Sequence, residues 1–247
     1  MATGKTHSRH SRLYLDGIDL SGDSRQFGQV GVVYGEEDMT TWTDGVVNFQ
    51  VKHGQAKLEG YQAVLNNTAA VGSLTELSDQ EEYILSLLLG IRAAPAAGDP
   101  AFSLSLQQIS MVMEGSGPLL LNVDFPGPGQ DVAIPSKAWG KLLYAKTTIA
   151  ITTTSASIDF GAAQASGAHA YLQIFLAETV GTWALKVQDS PNGSAWSDYI
   201  TFTANGTVVR GEQGRDTTSM DRYVRFVATY SGGGSTNLTV AAVVIPQ

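Results

Sequence analysis

Residues 171–202 (YLQIFLAETVGTWALKVQDSPNGSAWSDYITF) alternate their apolar side chains on a period of two. Leu172, Ile174 and Leu176 fall on one side of an extended chain, with Tyr171, Gln173 and Phe175 on the other. Trp183, Leu185 and Val187 then alternate with Ala184, Lys186 and Gln188. Successive side chains of a β-strand project to opposite faces, so this spacing predicts half-buried strands. Gly181 supplies turn chemistry between the first two runs, and Ser190-Pro191-Asn192-Gly193-Ser194 breaks the chain before the third. The segment therefore reads strand, hairpin, strand, loop, strand. Apolar faces of this kind need a second sheet to cover them, which predicts a sandwich.

The rest of the chain is read against that segment. Arg12–Tyr14 opens a short strand that Asp16-Gly17 turns. Residues 29–34, 53–62, 101–113 (alternating, with a shift of register between Leu106 and Ile109) and 119–125 read as further extended stretches, the last closed by Pro126-Gly127-Pro128-Gly129. Residues 78–90 predict the one helix: Ser78 caps it, Glu81 completes a capping box, and Gly90 stops it. Residues 137–144 fit a strand or a helical turn. Past residue 202, Asn205-Gly206 signals a hairpin, residues 211–221 are polar, and Val224 and Phe226 alternate with Tyr223 and Arg225. Seven or eight strands in the last hundred residues is the density of a sandwich. The expected architecture is mainly β: a basic tail (1–12), an N-terminal β-sandwich or barrel domain with one helix (13–146), and a C-terminal antiparallel β-sandwich (147–247).

Composition narrows the function. The 247 residues include no cysteine, which excludes disulfides, thiolate metal sites and cysteine nucleophiles. Lys5, Arg9 and Arg12 give the tail +3, and the remaining 12 basic and 23 acidic residues leave −11. Such a surface binds the phosphate backbone poorly. Residues 1–12 lack the apolar run of a signal peptide, and no stretch reaches the roughly 18 apolar residues of a membrane helix. A soluble intracellular product is expected.

Motifs for chemistry are incomplete. Gly4-Lys5-Thr6 lacks the upstream glycine and the strand of a phosphate loop. His7 and His10 have no carboxylate beside them in the tail. Asp16, Asp19 and Asp23 match no EF-hand spacing and read as turn residues. Ser166, His169 and Asp159 lie in no nucleophile elbow. No catalytic residue, metal site or cofactor is expected, and the chain is not read as an enzyme. Trp183 fits a core position. Trp196 and Tyr199, beside the loop at 190–194, are the candidate glycan contacts.

RLYLDGIDLSGDS (12–24), DMTTWTDG (38–45) and KLEGYQ (57–62) resemble virion proteins of long-tailed phages. Residues 78–90, 102–113 and 119–125 are similar in order to major tail (tail tube) proteins, and residues 182–203 resemble C-terminal sandwich modules appended to phage structural proteins. The resemblance implies a virion protein, assembled in the host cytoplasm, that forms stacked and commonly hexameric rings in the tail. Its partners would be itself and other virion proteins, with DNA passing through without specific binding and a weak host glycan contact outside. Residues 29–62 and 102–125 would supply the ring sheet. A loop carrying Glu36, Glu37, Asp38 and Trp42 would reach the next ring. A capsid decoration (cement) protein and a carbohydrate-binding virion surface module are the alternatives.

Overall fold

The computed structural model describes residues 10–21, 24–26, 29–33, 36–38, 49–51, 55–64, 82–91, 93–107, 110–114, 120–125, 137–177, 181–232 and 237–247. The strands in chain order are β1 (Ser11–Leu15), β2 (Ile18–Asp19), β3 (Ser24–Gln26), β4 (Gln29–Val33), β5 (Glu36–Asp38), β6 (Phe49–Val51) and β7 (Gln55–Val64). Then come β8 (Glu82–Leu89), β9 (Pro100–Gln107), β10 (Ser110–Glu114), β11 (Leu120–Phe125), β12 (Trp139–Ile149), β13 (Thr153–Thr154) and β14 (Ile158–Asp159). The last six are β15 (Ala168–Leu176), β16 (Thr182–Ser190), β17 (Ser197–Thr201), β18 (Arg210–Asp216), β19 (Tyr223–Ser231) and β20 (Leu238–Pro246). The fold is a mainly β sandwich.

The largest sheet has eight strands in the order β18-β15-β20-β12-β9-β8-β1-β2. A second joins β13 and β14 to β19, then β16 and β17. A third runs β10-β11-β7 and continues to β3, with β4 also on β7, and β5 pairs with β6. Period-two patterning makes the first contact between the two larger layers. Leu172 and Ile174 of β15, with Val240 and Val244 of β20, meet Trp183, Leu185 and Val187 of β16 and Val224 and Phe226 of β19 in one buried cluster. Each such side chain contributes about 1.5–3 kcal/mol relative to leaving it in water. Leu176 departs from its predicted face: the register of β15 on β20 shifts between Ile174 and Leu176, and Leu176 stays exposed.

Two expectations are corrected here. Residues 82–89 form β8 rather than the helix expected over 78–90, whose start lies outside the described residues. Tyr83–Leu89 is apolar at six of seven positions, and a run of that kind fits a strand buried on both faces as well as a buried helix. Two flanking strands settle the choice, because β1 pairs with one edge of β8 and β9 with the other. Next, β15 and β16 do not form a hairpin. The chain changes sheets between them, β15 pairing with β18 and β20, and β16 with β17 and β19. The polar stretch after residue 210 begins in a strand, Arg210–Asp216 being β18 at the end of the main sheet.

Residue 146 lies inside β12, and the eight-stranded sheet draws strands from both sides of it. β12 pairs with β9 through Trp139–Lys141 and with β20 through Lys141–Ile149. The other face of the main sheet is also buried. Tyr14, Ile84, Leu88, Ala101, Leu142, Tyr171, Ala241, Val243 and Ile245 form one cluster there. These residues come from six strands of a single sheet, so that face is concave, and β8 comes round to touch β15 and β18.

Candidate functional site

The curl of the main sheet is held by two polar side chains. Asp16-Gly17, the predicted turn, has both residues at positive φ (45° and 81°). That conformation turns Asp16 Oδ1 onto two backbone donors, Ile84 N at 3.0 Å and Gly211 N at 3.2 Å. Gln173, buried on the concave face, accepts from Gly17 N through Oε1 at 2.7 Å. Its Nε2 donates to Ile84 O at 2.7 Å and to Ser86 Oγ at 3.3 Å. Ser86 Oγ in turn accepts from Ser103 at 2.9 Å. The first turn and β8 are thus fastened to β15 and β18 by side chains rather than by strand pairing. Glycine is required at the contact points: a Cβ on Gly17 would run into Ile174 O, and one on Gly211 would lie 2.5 Å from Ile84 Cβ.

The outer face of the smaller sheet carries a polar row around Trp196. Lys186 Nζ donates to Asp198 Oδ2 at 2.5 Å, and Gln188 Nε2 to Asp198 Oδ1 at 2.8 Å. These donors hold the Asp198 carboxyl below its usual range. Arg225 donates twice to Gln188 Oε1, at 3.0 and 2.7 Å, and its guanidinium lies 4.0 Å from the centroid of the Trp196 ring. One face of the indole is therefore taken by a cation. Tyr199 sits at the β-bulge between Val187 and Gln188 of the β16–β17 pair. Its ring packs against the core, and its hydroxyl donates to Asp216 O at 3.3 Å and Thr218 O at 3.0 Å. Burial pushes that hydroxyl's pKa well above the ordinary value. The two predicted contact residues are thus engaged separately, Trp196 by Arg225 and Tyr199 by the carbonyls of Asp216, the last residue of β18, and Thr218.

The other sequence candidates have structural partners. Asp159 takes two bonds from Arg222, at 2.8 and 2.6 Å, and one from Gly161 N at 2.6 Å. The Arg222 guanidinium brings its carboxyl down to about 2. His169 Nδ1 meets Gln213 Nε2 at 2.7 Å, so His169 and Asp159 are engaged with different partners, Gln213 and Arg222. Asp19 accepts from Ser21 N at 3.1 Å and from Lys146 Nζ at 2.7 Å, as a turn residue would. Among the described residues no group of three His, Asp or Glu is placed to hold a metal ion. Glu36, Glu37 and Asp38 make up β5 and pair with β6, so they belong to a strand rather than the expected loop. Trp42, His7 and Asp23 lie outside the described residues.

Signals that sequence reading missed lie at the edges. β18 and β2 end the largest sheet and β17 ends the smaller one. Large apolar side chains remain at the surface: Ile151 at 73% exposure, Val208 at 59%, with Ile91, Trp139, Leu176 and Val209. A shallow cleft lined by Thr203, Ala204, Asn205, Val208 and Arg210 opens beside the start of β18. Glu212 ties three of these residues together, accepting from Thr203 N and Ala204 N at 2.6 Å each and from Arg210 at 2.9 Å.

No family model matches the chain, and no curated protein matches it. Among solved structures it is similar to the Dit protein of SPP1, a hub of the adsorption apparatus in phages that infect Gram-positive bacteria. That match has 11% identity and a TM-score of 0.34, and covers 95% of this chain and 99% of that one. It is also similar to two structures of infectious bursal disease virus. The Gx strain matches at 11% identity and a TM-score of 0.28, covering 95% of this chain and 55% of that chain. The Gt strain matches at 9% and 0.27, covering 100% and 68%. At these TM-scores the likenesses carry no argument about function.

Proposed function

We propose that this chain is a virion structural protein that works by assembling with copies of itself, and that it forms the tail tube of a long-tailed phage. The observation that carries the reading is the combination of terminal strands in both larger sheets with large apolar side chains at the surface near them. A sheet edge is a template for another strand, and exposed apolar groups lose their hydration cost when a second subunit covers them. The reading is also supported by the resemblance of residues 12–24, 38–45 and 57–62 to phage virion proteins. The single ring sheet expected from residues 29–62 and 102–125 is divided in the fold, because β9 pairs with β8 and β12 in the main sheet while β4, β7, β10 and β11 share the third. In the ring, that third sheet faces the lumen. The acidic chain leaves few cations for DNA to grip as it passes.

Negative-stain electron microscopy and light scattering on the purified full chain test this. Six-fold rings or tubes are the expected result. Trimers that bind expanded capsids would replace the tail reading with the decoration reading, and a protein that stays monomeric at high concentration would overturn assembly altogether.

A further inference from the structure

The sequence contains two Asn-Gly steps, Asn192-Gly193 and Asn205-Gly206, and the fold builds them differently. Both asparagines are exposed, and each is followed by a glycine at positive φ (75° and 77°). In the loop between β16 and β17, Asn192 Oδ1 accepts from Ser194 N at 2.9 Å, Ser194 Oγ at 2.8 Å and Ala195 N at 3.0 Å. Backbone N–H groups only donate, so the atom they meet is the amide oxygen. The hydroxyl of Ser190, a buried residue, joins the two halves of this step. It accepts from Gly193 N at 2.9 Å and from Asn192 N at 3.3 Å, which leaves its own proton for Asn192 Oδ1 at 3.2 Å. At the other step, Asn205 Oδ1 accepts only from Thr207, N at 3.3 Å and Oγ1 at 2.6 Å. Gly206 is buried against Trp183, and a Cβ there would lie 2.7 Å from the indole Cδ1.

We propose that Asn192-Gly193 is a self-modification site, at which the folded chain converts its own asparagine to a succinimide and then to aspartate or isoaspartate. The nucleophile is the Gly193 nitrogen, one residue along the chain, and glycine puts no side chain in the way of ring closure. As this nitrogen bonds to Asn192 Cγ, its proton passes to Ser190 Oγ and the Ser190 proton passes to Oδ1. Ser194 N, Ser194 Oγ and Ala195 N stabilise the charge that develops on Oδ1, as donors aimed at an oxyanion do. The tetrahedral intermediate then returns the Oδ1 proton to the side-chain nitrogen, the Cγ–Nδ2 bond breaks, and ammonia leaves to solvent. Water adds to one carbonyl of the ring and opens it. Either product places a new negative charge in the loop that leads to Trp196, and isoaspartate also inserts a methylene into the main chain there. The site stands whether or not the chain assembles.

Peptide mass spectrometry on the folded full chain at mildly alkaline pH tests this, with Asn205 as the reference in the same molecule. Asn192 should deamidate on the order of tenfold faster than Asn205, a small part of what proton relays and oxyanion donors supply at enzyme sites. In urea the two steps should react at similar rates, because the donors around Asn192 are then dispersed. Ser190→Ala, with its denaturation midpoint kept, should bring Asn192 down to the rate of Asn205. Should that variant not fold, Ser194→Ala changes an exposed residue and should slow Asn192 roughly several-fold by removing one donor. The proposal is overturned if Asn192 reacts no faster than Asn205 in the folded parent, if its lead persists in urea, or if the folded variants deamidate like the parent.

Discussion

Gln173→Leu tests whether the curl of the main sheet depends on side-chain fastening. Leucine nearly matches glutamine in volume, so packing on the concave face changes little. The substitution removes three contacts: Gly17 N to Oε1 at 2.7 Å, and Nε2 to Ile84 O at 2.7 Å and to Ser86 Oγ at 3.3 Å. They do not count equally. Ile84 O keeps the bond from Asp16 N at 3.1 Å, and Ser86 Oγ keeps Ser103. Gly17 N is the donor left buried without its acceptor. One orphaned buried donor costs about 1–3 kcal/mol, and the remaining lost bonds add roughly 1 kcal/mol. The expected loss is therefore about 2–4 kcal/mol, or a fall of about 4–16 °C in Tm for a chain of this size. Urea denaturation should show a lower midpoint at unchanged slope. Gln173→Glu separates fastening from packing. At neutral pH it sets a carboxylate against Ile84 O; protonated, it regains a donor, so its stability relative to the parent should recover as pH falls. A Gln173→Leu protein within about 0.5 kcal/mol of the parent would refute the reasoning.

Other outcomes follow from the same structure. Burial, with Arg215 nearby, holds the His169 imidazole down at about 4, below its ordinary 6.5. The unfolded chain therefore binds this proton first. Its contribution is fully present above pH 6.5 and is lost as pH falls toward 4, so pH-dependent denaturation should show a falling limb there that His169→Gln flattens. Trp183→Ala leaves a cavity in the buried cluster between the sheets and should cost about 3–5 kcal/mol, read as a large drop in the denaturation midpoint. Val208→Asp and Ile151→Asp change exposed residues and should leave Tm nearly unchanged while shifting sedimentation toward the monomer. A shifted Tm with unchanged assembly would mean that these side chains serve the fold.

Local chemistry was legible wherever it was settled within a few residues. Asp16-Gly17, Gly181, Gly193 and Gly206 were readable as turns, and each glycine has positive φ. Asn192 Oδ1 gathers Ser194 N and Ala195 N in the breaker cluster at 190–194. The inward set of Trp183, Leu185 and Val187 followed from period two, and all three are buried. β18 escaped notice because RGEQGRD has no apolar alternation. Its two glycines instead let Ile84 and Ile200 approach the backbone closely. The same limit applies to the Asp16 and Gln173 fastening, whose partners lie 68 to 195 residues apart.

What the amino-acid order determined by itself was the mainly β character, the positions of the sharp turns and the inward faces of β15, β16 and β19. Side-chain direction in an extended chain depends only on residue parity, and positive φ only on the residue that tolerates it. Tertiary structure alone decided that β8 is a strand, that β15 and β16 belong to different sheets, and that the main sheet curls until β8 reaches β18. Those outcomes depend on which distant segment offers a free edge or a matching apolar face. An apolar run such as Tyr83–Leu89 satisfies a helix and a doubly buried strand equally until β1 and β9 arrive on either side of it.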